Sequence, residues 1–258
     1  MLLAIAAGNT STRWGVFDGD RLLVSWRWAT RFDRMADEYA AMLLGLLSLN
    51  KLDFSDIKDV VFSSVVPPLN TNIVRLVERY FHASPLVIEA GVKTGVRIRM
   101  DNPREVGADR IANSAAIRHL YGSPGIVVDM GTATTFDVIS KEGDYIGGVI
   151  APGINIAAEA LFVRTAKLPR VELVRPKTVI GTNTINAMQS GLVFGYVGLI
   201  EGIVGRIRGE LGEKARVVAT GGDAELIARE TKAIDLVNPD LTITGLRIIY
   251  ELNRTSKE

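Results

Sequence analysis

Apolar and polar positions along the chain fall into short hydrophobic runs that end in glycine turns, separated by stretches with helical spacing. Leu2 to Ala6 is continuously apolar, the pattern of a strand covered on both faces. Gly8-Asn9-Thr10 turns the chain into a second strand from Thr12 to Phe17. Asp18-Gly19-Asp20 is a hairpin signal leading to Leu22-Leu23-Val24 and Trp26. Apolar spacing predicts a helix over residues 32–47. Val60-Val61-Phe62 reads as a buried strand stopped by Pro67-Pro68, and residues 69–81 as an amphipathic helix through Ile73, Val74, Leu76 and Val77. An irregular glycine-rich stretch over residues 91–99 leads to a loop from Asn102 to Arg110. A helix follows through Ile111, Ala115, Ile117 and Leu120, closed by Gly122 and Pro124.

The second half opens as the first does. Gly125 to Gly131 is a buried strand entering a turn, Thr134 to Ile139 a second strand, and Tyr145 to Ile150 a third after Glu142-Gly143-Asp144. Aligning Leu3–Thr12 with Ile126–Thr135 sets Gly8 on Gly131, Thr12 on Thr135 and Ala6 on Asp129, and the next turns match after one inserted residue. A separation of about half the chain indicates a duplicated domain. The remainder is mostly helical. Residues 182–211 form one long candidate in which Gly191, Gly195, Gly198, Gly202 and Gly205 recur, permitting close helix contact. Residues 216–220 read as a strand, Gly221-Gly222 as a turn, residues 223–230 as a helix, and a last helix follows Pro239.

Composition narrows the functional classes. The 258 residues are 47% hydrophobic and 23% charged, which excludes disordered and fibrous classes. Thirty basic against 29 acidic residues give no electrostatic reason to expect nucleic acid or an anionic membrane as partner. Without cysteine there is no thiolate nucleophile and no Cys-ligated zinc. The apolar N-terminus has no basic flank and turns after about seven residues, too short for a signal or a membrane span. A soluble, cytoplasmic protein is expected.

Candidate chemistry gathers at the turns. Each glycine turn between strands can aim backbone N–H groups and hydroxyls at an anion, or it can be a plain hairpin. No Gly-x4-Gly-Lys-Ser/Thr motif occurs, so any ATP site is not a P-loop. Asp129 ends an apolar strand, where its carboxylate either caps the turn or binds a cation near phosphate. In Gly107-Ala108-Asp109-Arg110, Asp109 is either a dipole-favoured helix N-terminal residue or a general base beside a cation able to hold a carboxylate. Val217 to Ala224 can lay a nucleotide base against glycine backbone, a weak motif alone. His82 and His119 are expected on helix surfaces, and Trp14, Trp26 and Trp28 in the packing of the first three strands.

Taken in order, Gly8-Asn9-Thr10, Asp101 to Arg110, Asp129 to Thr135, Gly147 to Gly153 and Gly181-Thr182-Asn183-Thr184 resemble the type III pantothenate kinases, nearly end to end. The resemblance implies an α/β fold of two duplicated ribonuclease-H-like (actin-like ATPase) domains, residues 1–115 and 116–258, with a cleft between them. It implies ATP-dependent phosphorylation of pantothenate to 4′-phosphopantothenate, the first step of coenzyme A biosynthesis. Asp109 would be the base. Ala6, Ala7, Gly8, Asn9, Thr10, Ser11, Thr12, Arg13 and Thr132 would meet ATP; Gly107, Ala108, Asp109, Arg110 and Thr184 would hold pantothenate. Asp129 would bind a monovalent cation, K+ or NH4+, with Mg2+ also required. A homodimer is implied, with the glycine-lined helix as a dimer element.

Two positions depart from the family pattern. Ala6 stands where the family carries an aspartate that helps position magnesium and phosphates, and Met100 stands where an aromatic is expected near the pantothenate pocket. Losing one preorganised group at such a site costs about 10²–10³ in rate. Three readings stay open: an active enzyme slowed at position 6, a silenced relative that binds without turnover, and an aspartate-to-alanine form that traps a complex. A sugar kinase is the other enzyme of the superfamily weighed.

Overall fold

The computed structural model describes residues 1–254. The described chain forms two compact units: Met1–Arg97, Asp101–His119 and Asp240–Arg254 belong to the first, while Ile98–Met100 and Leu120–Pro239 make the second.

The first unit is built on a five-stranded sheet of β1 (Leu2–Ala7), β2 (Ser11–Asp18), β3 (Arg21–Ala29), β4 (Asp59–Ser64) and β5 (Leu86–Val87), in the order β3-β2-β1-β4-β5. β1, β2 and β3 are an antiparallel meander, and β4 and β5 extend it in parallel from β1. One face carries Leu3, Ile5, Trp14, Val16 and Phe62. It packs on α1 (Ala36–Leu49) and α2 (Pro67–Leu76) through Tyr39, Leu43, Leu69 and Ile73. Trp14 stacks on Tyr39 and contacts Trp28, with centroids 5.7 and 4.8 Å away. The other face receives α7 (Leu241–Arg254) and, through it, α3 (Ala108–Tyr121).

Local chemistry explains the helix limits. α1 starts later than its apolar spacing predicts, because Glu38 turns back to accept the Met35 N–H at 2.8 Å, and Phe32 stays exposed. α2 begins on Pro67-Pro68, whose missing donors cost nothing in a first turn.

The second unit repeats the plan. β6 (Gly125–Met130), β7 (Ala133–Ile139), β8 (Tyr145–Pro152), β9 (Arg216–Gly221) and β10 (Leu236–Val237) form a sheet ordered β10-β9-β6-β7-β8, the mirror listing of the first. Ile126, Val128, Phe136 and Val217 pack on α5 (Thr184–Leu211) and α6 (Ala224–Ala228). α4 (Ile154–Arg164) follows β8 directly and is not separately predicted by the sequence pattern.

The repeat is real but its register differs from the linear alignment. β1 and β6 share one burial pattern, with Ala6 matching Asp129. β2 and β7 also share one pattern, and it sets Thr12 on Thr134 and Arg13 on Thr135. Ala7 pairs with Thr12 but Met130 with Thr134, so the second turn is one residue shorter. The first copy thus has one extra residue in its first turn, and the following turns at Gly19 and Gly143 then match only after two inserted residues in the second copy, not one.

The division expected at residues 115/116 also differs from the observed units. α7 is amphipathic, with Leu241, Ile243, Leu246, Ile248 and Ile249 buried, and its apolar face is spent on β1, β2 and β4. Gly245 lets α7 close on α3, since an added Cβ would overlap the Ala112 carbonyl. Ile98 pairs with Tyr145, which draws Ile98–Met100 into the second unit. Gly245→Ala should therefore destabilise the first unit by about 1–3 kcal/mol, read as a lowered midpoint in thermal denaturation; an unchanged midpoint would mean α7 does not seal that unit.

Candidate active site

In the first unit, the β1–β2 turn is held from outside. Gly8 N–H donates to Ser11 O at 3.1 Å, Thr30 Oγ1 donates to Gly8 O at 2.6 Å, and Thr30 N–H donates to Thr10 O at 3.0 Å. Asn9 and Thr10 are exposed at its tip, while Thr12 is fully buried behind it. Ala6 is half-buried, flanked in register by Arg13 on β2 and Ser63 on β4. Arg13 Nη1 donates to Asp240 Oδ1 at 2.7 Å.

The same end of this sheet brings in the Gly107–Arg110 segment. Val65, just past β4, donates its N–H to Ala7 O at 3.0 Å, and its Cγ1 lies 3.5 Å from where a Cβ on Gly107 would sit. Asp109 lies in the first turn of α3, and its Oδ1 accepts the Arg110 N–H at 2.8 Å. A Cβ at position 107 would come within 2.6 Å of that same Oδ1, so glycine is what lets the carboxylate fold back. Burial raises the Asp109 pKa from its ordinary value, against the lowering effects of the Arg110 N–H and guanidinium. A half-buried carboxylate with a raised pKa is a stronger base than a freely solvated one. The loop before it is stabilised by Asn102, whose side chain accepts from Arg104 N–H and donates to Glu105 Oε1.

In the second unit the Gly131 turn is tighter. Gly131 N–H donates to Ala133 O at 3.0 Å and Gly153 N–H to Thr132 O at 3.1 Å. Side chains at Gly153 or Gly221 would overlap the backbone of Thr132 or Met130, so three glycines meet here. Thr132 is exposed on the turn, and Asp129 is half-buried with Thr135 and Thr220 as register neighbours. Asn155 Nδ2 donates to Asp223 Oδ2 at 2.7 Å, tying the start of α4 to the Gly221-Gly222 loop. Sequence reading reached Asp223 but not Asn155, because 68 residues separate the pair. Thr184 is the exposed first residue of α5, after Asn183 caps that helix by accepting the Asn186 N–H at 2.9 Å. Met100 packs its sulfur near Gly147 on β8.

Known proteins match this arrangement. The family model for type III pantothenate kinase matches residues 2–206. The chain belongs to the type III pantothenate kinase family. A type III pantothenate kinase of Dehalococcoides mccartyi (strain CBDB1) is 55% identical over 253 residues, covering 98% of this chain and 96% of that one. One from Geobacillus sp. (strain WCH70) is 51% identical over 258 residues, 100% of both. Among solved structures, a ROK hexokinase from Thermus thermophilus aligns with a TM-score of 0.51 at 13% identity, over 99% of each chain. That likeness shows the fold: an actin-like sugar-kinase plan of two duplicated ribonuclease-H-like domains. Type III pantothenate kinases are ATP-dependent kinases that phosphorylate pantothenate in coenzyme A biosynthesis.

The residues present offer a metal little anchorage. Among the described residues no three His, Asp or Glu side chains gather as a metal cage. Beside the Gly8 turn, position 6 itself is alanine and offers a divalent ion no carboxylate. At the Gly131 turn the single Asp129 carboxylate fits one weakly held hard cation better than a caged divalent ion.

Three outcomes follow for Asp109. Gly107→Ala should push its carboxylate aside and lower kcat by about 10²-fold, measured by steady-state kinetics; unchanged kcat would remove the close approach from the chemistry. Burial raises the folded-state pKa above the unfolded value, so the folded chain holds its proton longer. Stability then falls as pH rises through this interval. If Asp109 is the base, kcat should drop as pH falls, with a midpoint above the ordinary aspartate value. Asp109→Asn should abolish turnover without lowering stability at neutral pH, by activity assay and denaturant titration; a destabilised Asn variant would contradict the burial argument.

Proposed function

We propose that this chain transfers the γ-phosphoryl group of ATP to the primary hydroxyl of pantothenate, giving 4′-phosphopantothenate and ADP. The observation that carries the reading is Asp109, a carboxyl with a raised pKa at the sheet end that also bears the Gly8 turn. Asp109 takes the hydroxyl proton as the oxygen attacks phosphorus. The pantothenate contacts in this reading are Gly107, Ala108 and Arg110, with Arg110 as the cation for the substrate carboxylate, and Thr184; the ATP contacts are Ala6 through Arg13 and Thr132. Mg2+ enters chelated by ATP, and Asp129 holds K+ or NH4+. The aspartate missing at position 6 slows the transfer; its absence also favours a second reading, a relative that binds ATP and pantothenate without turnover.

The protein works in the cytoplasm as a homodimer. Supporting this, Ile146, Ile150, Ile156, Phe162 and Val163 of β8 and α4 are exposed. On α5, added Cβ atoms at Gly191, Gly195 and Gly198 would meet nothing within the chain. The long apolar α5 has the length to cross a membrane, but Leu192, Val193, Val197, Ile200 and Val204 are buried in the core of its own unit.

An ATP- and K+-dependent assay of pantothenate phosphorylation on this chain and on Ala6→Asp is the test. Slow turnover that rises about 10²-fold in the aspartate form is expected. No product from either form would overturn the kinase reading for this chain.

A further inference from the structure

Buried polar atoms almost always find partners, and each exception calls for an explanation. Among the described residues five buried side-chain nitrogen or oxygen atoms lack a hydrogen-bond partner. Three of the five share one cluster: Trp28 Nε1, Arg34 Nη1 and the Tyr39 hydroxyl. The Trp28 and Tyr39 rings lie 6.3 Å apart, and the Arg34 guanidinium sits over the Tyr39 ring at 5.4 Å. All three belong to the first unit. Trp28 is near the end of the edge strand β3, Arg34 in the connection to α1, and Tyr39, fully buried, near the start of α1.

The chemistry of this cluster is one-sided. An indole N–H and a guanidinium N–H can only donate. Burial raises the Tyr39 pKa above the ordinary phenol value, so its hydroxyl keeps a proton to give. Neighbouring Trp14 shows the contrast, since its indole N–H donates to Thr12 Oγ1 at 3.0 Å. Among the described residues no carboxylate pairs with Arg34. Contact with the Tyr39 ring offsets part of its charge but leaves Nη1 without an acceptor. Asp33 and Glu38 act on Tyr39 only through their fields, and Glu38 Oε2 is taken by the Met35 N–H at 2.8 Å. Three clustered donors, one of them cationic, with no acceptor among them suit a compact oxyanion.

Position gives such an anion a consequence. Asn72 Nδ2 donates to Arg34 O at 3.1 Å, which fixes the Arg34 backbone from α2. Four residues earlier, Thr30 holds the Gly8 turn through Gly8 O and Thr10 O. An anion shared by Trp28, Arg34 and Tyr39 braces the segment from which that turn is held.

We infer that a compact oxyanion of the phosphate or sulfate type binds among Trp28, Arg34 and Tyr39, none of which is assigned to ATP or pantothenate, and acts as an effector behind the Gly8 turn. Its occupancy steadies the turn and tightens ATP binding there, a consequence that rests on the kinase reading above.

Calorimetric titration of the full chain with inorganic phosphate and sulfate, against chloride at constant ionic strength, tests the site. Saturable binding of both oxyanions, and none of chloride, is expected. Tyr39→Phe removes only the buried oxygen and should weaken oxyanion binding about tenfold, the scale of one hydrogen bond to a charged group. Its thermal midpoint in chloride should not fall, because the lost hydroxyl had no partner. Arg34→Gln should weaken binding by about tenfold or more. Equal oxyanion affinity in the unaltered chain and both variants would place the anion elsewhere and overturn the inference, as would a chain that binds neither oxyanion. ATP affinity measured with and without sulfate should rise with sulfate in the unaltered chain but not in Tyr39→Phe. Indifference to sulfate in both forms would overturn the effector role. Absence of ATP binding would overturn the kinase reading and leave the oxyanion titration to decide the site by itself.

Discussion

Everything in this protein depends on a central strand that is buried on both faces and must then stop. β1 and β6 are each paired on both edges and packed above and below, so neither tolerates a polar side chain along its length. Polar chemistry can appear only where the strand ends, and there the chain reverses through a glycine turn into an antiparallel neighbour. The parallel partner, β4 or β9, ends at the same level and delivers its own loop beside that turn. In the first unit this loop leads to Val65, against which Gly107 and Asp109 settle. In the second it is Gly221-Gly222, with Asp223 tied to Asn155. Concentrating backbone donors, hydroxyls and a carboxylate at one sheet end follows from what the strand interior forbids.

The two copies have diverged where packing does not hold them. Burial patterns of the matched strands are identical, because the same sandwich of helices presses on both sheets. The half-buried positions at the strand ends are under no such constraint: Asp129 and Thr135 face one turn, Ala6 and Arg13 the other. One turn became acidic and the other basic with no change in architecture. That freedom makes position 6 a question of chemistry rather than of folding.

Several features were legible from residue order alone: the short strands, the glycine turns, the duplication, the Asp109 segment and the odd alanine at position 6. All depend on local periodicity or on turn residues whose backbone demands are met within a few positions. Other features were not legible. The one-residue difference between the two turns emerged only from strand pairing, since a gapless alignment of the two segments cannot show it. The Asn155–Asp223 and Arg13–Asp240 contacts join residues 68 and 227 positions apart, and no local pattern announces them. Sequence order also divides the domains wrongly at the C-terminus. α7 is as amphipathic as any second-domain helix would be, and its periodicity says that a face is buried but not against what.

The sequence by itself determined which segments are strands and helices, that the plan occurs twice, and which residue types stand at each turn. These are properties of spacing and side-chain type, carried within a few residues of chain. Tertiary structure alone decided that α7 completes the first unit, that Gly107 makes room for the half-buried Asp109 carboxylate, and that Arg13 and Arg27 share a face with Ala6. Those outcomes depend on register and on long-range packing, where a shift of one residue turns a side chain to the opposite face.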